Sequence, residues 1–307
     1  LISINAILLL CAAGVSISGP PGYEPPGKIP VRFAPEVVHS DHCSAVVSPD
    51  GEEIFWAQHV KGESGRKIFF MQFQDGSWSA PSIVPFTSRE DGDCPVLSPD
   101  GMTMIFTSSR PMGEDNTTRR ERLWLVSRRS SGWSEPRPVD DVINGSHLHW
   151  QASMDRDRNI YFASSRKGSI GRDDIFVSLK TKEGYATPAG FPPPINTAGH
   201  ESTPFIGPGG DYLLFTRSYF GAGSPPFPTG LLVSFRQEDG SWSEPGAVPL
   251  SGVPLEDVVC PTVSPDQRYL FFLVLNKNEK SVYWVDASVV WDQKSSKVKD
   301  PVTRKKQ

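Results

Sequence analysis

Ser48-Pro49-Asp50-Gly51-Glu52-Glu53-Ile54-Phe55-Trp56 is the clearest copy of a unit that the chain repeats, and its reading decides the fold. Pro presets φ, Asp bonds its own backbone and Gly tolerates positive φ, so the first four residues form a turn and the last three open a strand. Ser98-Pro99-Asp100-Gly101 leads in the same way to Met104-Ile105-Phe106. Looser copies begin at Ser153, Gly207 and Ser264, ahead of Ile160-Tyr161-Phe162, Leu213-Leu214-Phe215 and Leu270-Phe271-Phe272. A period of about 50 residues marks a repeat architecture.

Further strands follow in each unit at Ile68–Met71, Leu123–Val126, Ile175–Val177, Leu231–Val233 and Val282–Val285. These runs are nearly continuous in apolar character, as strands covered on both faces are. An outer strand is marked by Trp78-Ser79-Ala80-Pro81, Trp133-Ser134-Glu135-Pro136, Tyr185-Ala186-Thr187-Pro188 and Trp242-Ser243-Glu244-Pro245. Pro is tolerated there because one side of an edge strand is free. The fifth copy, Arg32-Phe33-Ala34-Pro35, precedes the first turn, and the last unit has none. Five inner units and five outer strands, offset by one, predict a ring in which the N-terminal strand completes the final blade and removes the open edge. The expected fold is all-β: a single five-bladed propeller of four-stranded blades over 31–292.

The turn followed by an apolar-apolar-aromatic strand resembles the TolB-type, WD-like β-propeller repeat. So do Ile195-Asn196-Thr197 with His200-Glu201-Ser202-Thr203-Pro204, and the ending Val282-Tyr283-Trp284-Val285-Asp286-Ala287. The resemblance covers about residues 31–292. It implies an exported propeller, and because such propellers often have six or seven blades, six is the alternative count. The repeat is nearly silent on activity.

Residues 1–18 carry no charge, and Ala6–Ile17 is apolar but for Gly14 and Ser16. The run is shorter than the ~20 residues of a spanning helix and suits a secretory signal, leaving no transmembrane segment in the mature chain. The expectation is export to the periplasm or beyond, with lipid anchoring at Cys11 or a buried N-terminal strand as alternatives. Residues 19–30 read as a Pro/Gly linker and 293–307 as a basic, solvated tail. A net charge of −4 argues against nucleic acid as a partner, which needs a strongly basic surface.

The turns should lie on one face of the ring, and the loops leading into the innermost strands on the other. Those loops carry Asp41 and His42, Asp91 and Asp93, His147 and His149, His200 and Glu201, and Glu256 and Asp257. Arg110, Arg166 and Arg217 each follow the second strand and should reach the same channel mouth. Two readings stand: the charged groups cap turns and knit adjacent blades, or they converge on a ligand. The candidate ligand-binding set is Asp41, His42, Asp93, Arg110, His149, Arg166, Glu201, Arg217 and Asp257, with Trp150 and Tyr219 able to stack on sugar rings.

The leading expectation is a binding module for a carbohydrate, a peptide or an envelope protein, with no cofactor. The rival is a carbohydrate-active enzyme at the same mouth. One form is a glycoside hydrolase with two carboxyls drawn from Asp41, Asp93, Glu201 and Asp257, similar in type to five-bladed arabinanases. The other is a metal-dependent polysaccharide lyase similar in type to TolB-like oligogalacturonate lyases. His147, His149 and Gln151 share one strand face and are its candidate ligands for a divalent metal, although hydrogen bonding is the commoner fate of such a pattern. Cys43, Cys94 and Cys260 are expected as buried free thiols, because Cys94 and Cys260 lie at the same repeat position in non-adjacent blades.

Overall fold

The computed structural model describes residues 20–112, 120–146 and 148–296. The proposed signal segment and most of the basic tail therefore lie outside the described residues. Five antiparallel sheets follow one another around a ring. Blade one runs outward from Val46–Val47 through Glu53–His59 and Arg66–Gln74 to Ser77–Trp78 and Ser82–Ile83. Blades two, three and four start from Asp93–Leu97, His149–Met154 and His200–Ile206. Blade five contains Val258–Val263, Tyr269–Leu275 and Lys280–Asp286, and its outermost strand is Val31–Arg32. Val31 lies opposite Trp284 and Arg32 opposite Tyr283, and Phe33 N donates to Val282 O at 2.8 Å. The ring of five blades is closed by the N-terminal strand, as the offset predicts.

The continuous apolar runs follow from the packing between blades. Ile54 and Trp56 pack toward blade five with Phe271 and Trp284, while Phe55 and Ala57 pack toward blade two with Met104 and Phe106. Successive side chains of a strand leave on opposite faces, and here both faces are covered. Each of the five junctions between neighbouring blades holds its own apolar cluster among the described residues.

The repeated turn is built as its residue types dictate. Ser98 Oγ bonds Asp100 Oδ1 at 2.6 Å and accepts from Thr103 N at 2.9 Å. Gly101 closes the turn at φ 69°, where an added Cβ would also sit 2.8 Å from Pro49. In the outer strands, proline splits the strand into two short pairings, as at Ser77–Trp78 and Ser82–Ile83. The serine after tryptophan bridges the break: Ser79, Ser134 and Ser243 hydroxyls accept from Gln72, Ser127 and Phe235 N–H groups.

The Pro/Gly segment lies against the propeller: Trp78 Nε1 donates to Pro21 O at 2.7 Å and Tyr23 packs on Phe33. A helix over Ser288–Ser296 crosses the boundary expected at 292 and packs Val289 and Val290 into the cluster between blades four and five.

Candidate functional site

The innermost strands share a local distortion. Their register slips between Asp93 and Val96, His149 and Ala152, Ser202 and Phe205, and Val259 and Thr262. At each slip one residue is left-handed: Cys94 at φ 46°, Trp150 at 54°, Thr203 at 48° and Cys260 at 53°. Such conformations are costly for residues other than glycine and persist only where the surroundings hold them. A bulge also re-aims side chains, and these meet around the channel. Cys43, Cys94 and Cys260 form one buried cluster flanked by Trp150 and Val259.

The expectation of three separate thiols is corrected. Cys43 and Cys94 are joined in a disulfide with Cα atoms 5.2 Å apart. Among the described residues Cys260 is the free thiol, its Sγ 3.2 Å from that of Cys43. Blades two and five are not neighbours in the ring, but both adjoin blade one, and their innermost bulges meet the loop that carries Cys43 into blade one.

The cysteine cluster sits between two cavities. Toward the turns is one of about 280 Å³, lined by residues such as Val47, Leu97, Met154, Phe205 and Val263. Toward the mouth is one of about 510 Å³ over blades three to five, lined by Trp150, Arg172, Asp173, His200, Phe220 and Glu256 among others. Asp173 Oδ2 lies 3.1 Å from His200 Nδ1, and the Arg172 guanidinium sits 5.2 Å from the centre of the Phe220 ring. Phe220 is 69% exposed.

Beside this cavity lies a charged network. His42 Nδ1 is 2.7 Å from Asp93 Oδ2, and Arg66 reaches Asp93 at 3.1 Å and Asp41 at 2.7 Å. The His42 ring packs on Trp150 at 4.5 Å. Burial alone pushes the Asp93 carboxyl up, but the His42 bond and charge, Arg66 and the Cys94 N–H outweigh it and hold it below the usual range. Crowding that strips water from Glu121, then the charge of Asp93, pushes its carboxyl up to about 7. The residue as a whole is exposed, and solvent moderates that push.

Of the residues read from sequence, Asp41, His42 and Asp93 come together. The arginines instead clasp the loop arriving from the preceding blade. Arg110 donates to Phe86 O and Asp91 O, Arg166 to Val142 O and Ile143 O, and Arg217 to Pro194 O and Ile195 O. Arg217 also pairs with fully buried Glu201 at 2.7 Å. Asp257 accepts from Asn276 at 2.8 Å. His149 opens the innermost strand of blade three opposite Ala163, Gln151 is buried and donates to Pro261 O, and His147 lies outside the described residues. Sequence reasoning did not pick out Arg66, Glu121, Arg172 or Asp173. No motif surrounds them; only ring closure places them at one mouth.

No family model and no curated protein matches the sequence. Among solved structures the chain is similar to a putative TolB from Agrobacterium tumefaciens, at 16% identity over 79% of this chain and 76% of that one, TM-score 0.48. It is also similar to an α-L-arabinofuranosidase from Lactobacillus brevis, at 14% identity over 82% and 92%, TM-score 0.49. A chain of a nidogen/laminin complex is similar at 11% identity over 73% and 70%, TM-score 0.45. These likenesses are distant and concern the propeller fold; binding propellers and enzymes both occur among them.

Proposed function

We propose that the chain is an exported binding module that receives a carbohydrate at its channel mouth. The observation that carries this reading is the cavity of about 510 Å³ where Trp150 and Phe220 accompany Arg172, Asp173, His200 and Glu256. Its size is that of small-ligand sites. Aromatic faces suit the apolar faces of sugar rings, and a mixed-sign polar set suits hydroxyl groups better than it suits a strongly charged ligand. A peptide or an envelope protein is the other occupant of this mouth. The proposed placement outside the cytoplasm is supported by the uncharged apolar run over 6–17 and by the Cys43–Cys94 disulfide, which suits an oxidising compartment.

Calorimetric titration with an oligosaccharide panel tests the reading. Binding that falls about tenfold or more in Phe220→Ala, with an unchanged melting temperature, is expected. Absence of binding across the panel, or affinity indifferent to Phe220 and Arg172, overturns it.

The enzyme reading would draw on Glu121, whose carboxyl is pushed up to about 7 within electrostatic reach of Asp93, a direction that suits a general acid. Glycan cleavage abolished by Glu121→Gln supports it, and no turnover by the wild type removes it.

A further inference from the structure

The cysteine cluster has a chemistry that the carbohydrate reading does not use. Cys43, Cys94 and Cys260 come from blades one, two and five and are almost wholly buried. His42 Nδ1 lies 3.7 Å from Cys94 Sγ and 3.9 Å from Cys43 Sγ, and Cys260 Sγ lies 3.2 Å from Cys43 Sγ. Zinc–sulfur and zinc–nitrogen bonds near 2.3 and 2.05 Å give a tetrahedron with sulfur–sulfur edges of about 3.8 Å and sulfur–nitrogen edges of about 3.6 Å. The two sulfur–nitrogen separations fall within about 0.3 Å of their edge, whereas Cys260 Sγ lies about 0.6 Å inside the sulfur–sulfur edge, and Cys43 and Cys94 part to theirs only once their bond opens. His42, Cys43, Asp93 and Cys94 already hold their ligand atoms within 4.8 Å of one another. Cys260 of the adjoining blade five adds a third sulfur.

We infer that Cys43, Cys94, Cys260 and His42, when the disulfide is open, form a closed site for a thiophilic divalent ion of the zinc class. Three thiolates and an imidazole select such an ion over magnesium or calcium. The surroundings suit an outer shell. Trp150 backs the His42 ring, Thr203 Oγ1 accepts from Cys260 N at 3.3 Å, and Arg66 holds Asp93 when His42 Nδ1 exchanges that carboxylate for the ion. Opening the disulfide takes two electrons and two protons from a dithiol reductant, which is itself oxidised to its disulfide. Binding then releases the three thiol protons. Ion and disulfide compete for the same sulfurs. In an oxidising compartment an ion bound first shields the thiolates, whereas an oxidised chain excludes it. A bound ion ties blades five, one and two together at their innermost strands.

The experiment titrates the reduced, desalted full chain anaerobically with Co²⁺ and then with Zn²⁺. One equivalent of cobalt with a near-ultraviolet sulfur-to-cobalt charge-transfer band is expected, bleached by one equivalent of zinc. The oxidised chain should show neither. Cys260→Ser should weaken zinc by about tenfold or more, while His59→Ala should leave it unchanged. The wild-type spectrum tests thiolate ligation without any variant. Absence of the charge-transfer band in the reduced wild type, or Cys260→Ser binding as tightly as wild type, overturns the inference.

Discussion

Replacing Phe33 by alanine tests the closure on which every other placement depends. Phe33 is 1% exposed and sits between blades five and one, with ring centres 5.0 Å from Phe271, 5.2 Å from Trp284 and 5.1 Å from Tyr23. A buried aromatic removes about 150–250 Å² from water, worth about 4–6 kcal/mol at about 25 cal/mol per Å². That is an upper bound, because the unfolded chain already buries part of it. Phenylalanine-to-alanine changes in cores cost about 3–5 kcal/mol, so about 4 kcal/mol is expected. At roughly 2–4 °C per kcal/mol for a domain of this size, the melting temperature should fall by about 8–16 °C. Urea unfolding followed by tryptophan fluorescence measures the loss. Val31→Ala is the control: Val31 belongs to the same strand but is 44% exposed, and should cost about 0.5 kcal/mol or less. If Phe33→Ala costs below about 1 kcal/mol, or no more than the control, the N-terminal strand does not hold the ring shut.

Asn196→Ala should cost about 2–3 kcal/mol in the same urea assay, because the side chain accepts from Ile175 N and donates to Ile175 O and Phe191 O, leaving buried backbone groups unpaired. Asn144, bonded in the same way to Leu123 and Val139, should match it, and a cost below about 1 kcal/mol at both would count against this role. Arg217→Met should cost about 3–5 kcal/mol by stranding buried Glu201, and adding Glu201→Gln should restore part of that; a double-mutant cycle with no coupling refutes the pairing. The folded Asp93 carboxyl titrates below its unfolded value, so its contribution is present above the ordinary carboxylate range and is lost as pH falls through the depressed value. Urea midpoints measured from about pH 6 to 3 should fall less steeply at the acid end in Asp93→Asn than in the wild type.

The fold was legible because its determinants are local and repeated. A turn that needs Ser, Pro, Asp and Gly shows those letters, and the missing outer strand of the last unit points directly to Arg32-Phe33. The pairing of the N-terminal strand with the last blade follows from that count without any distance; the register, Val31 opposite Trp284, does not. The arginines were legible only as a pattern. Ser-Ser-Arg at Arg110 and Arg166 is consistent with either a ligand clamp or a blade-to-blade tie. What separates the two is where the incoming loop's carbonyls lie, which the side chain's chemistry does not specify. At Arg110, Arg166 and Arg217 those carbonyls lie within 3.1 Å.

The cysteines show why the site was harder to read than the scaffold. Comparing repeats places Cys94 and Cys260 at equivalent positions, and adjacency around a ring then separates them. Adjacency describes the sheets, whose mid-strands are held apart by intervening side chains. It does not describe the axis, where the innermost bulges of blades two to five and the loop entering blade one crowd together. There the left-handed backbone at Cys94, Trp150, Thr203 and Cys260 turns a repeated position into a shared site. The strain is offset by the five apolar junctions around it, so the scaffold's regularity allows an irregular centre. A residue's partner at the axis is therefore set by its height along the channel, and blade order ceases to matter. By the same argument Trp150 of blade three reaches His42 of blade one, although blade two stands between them.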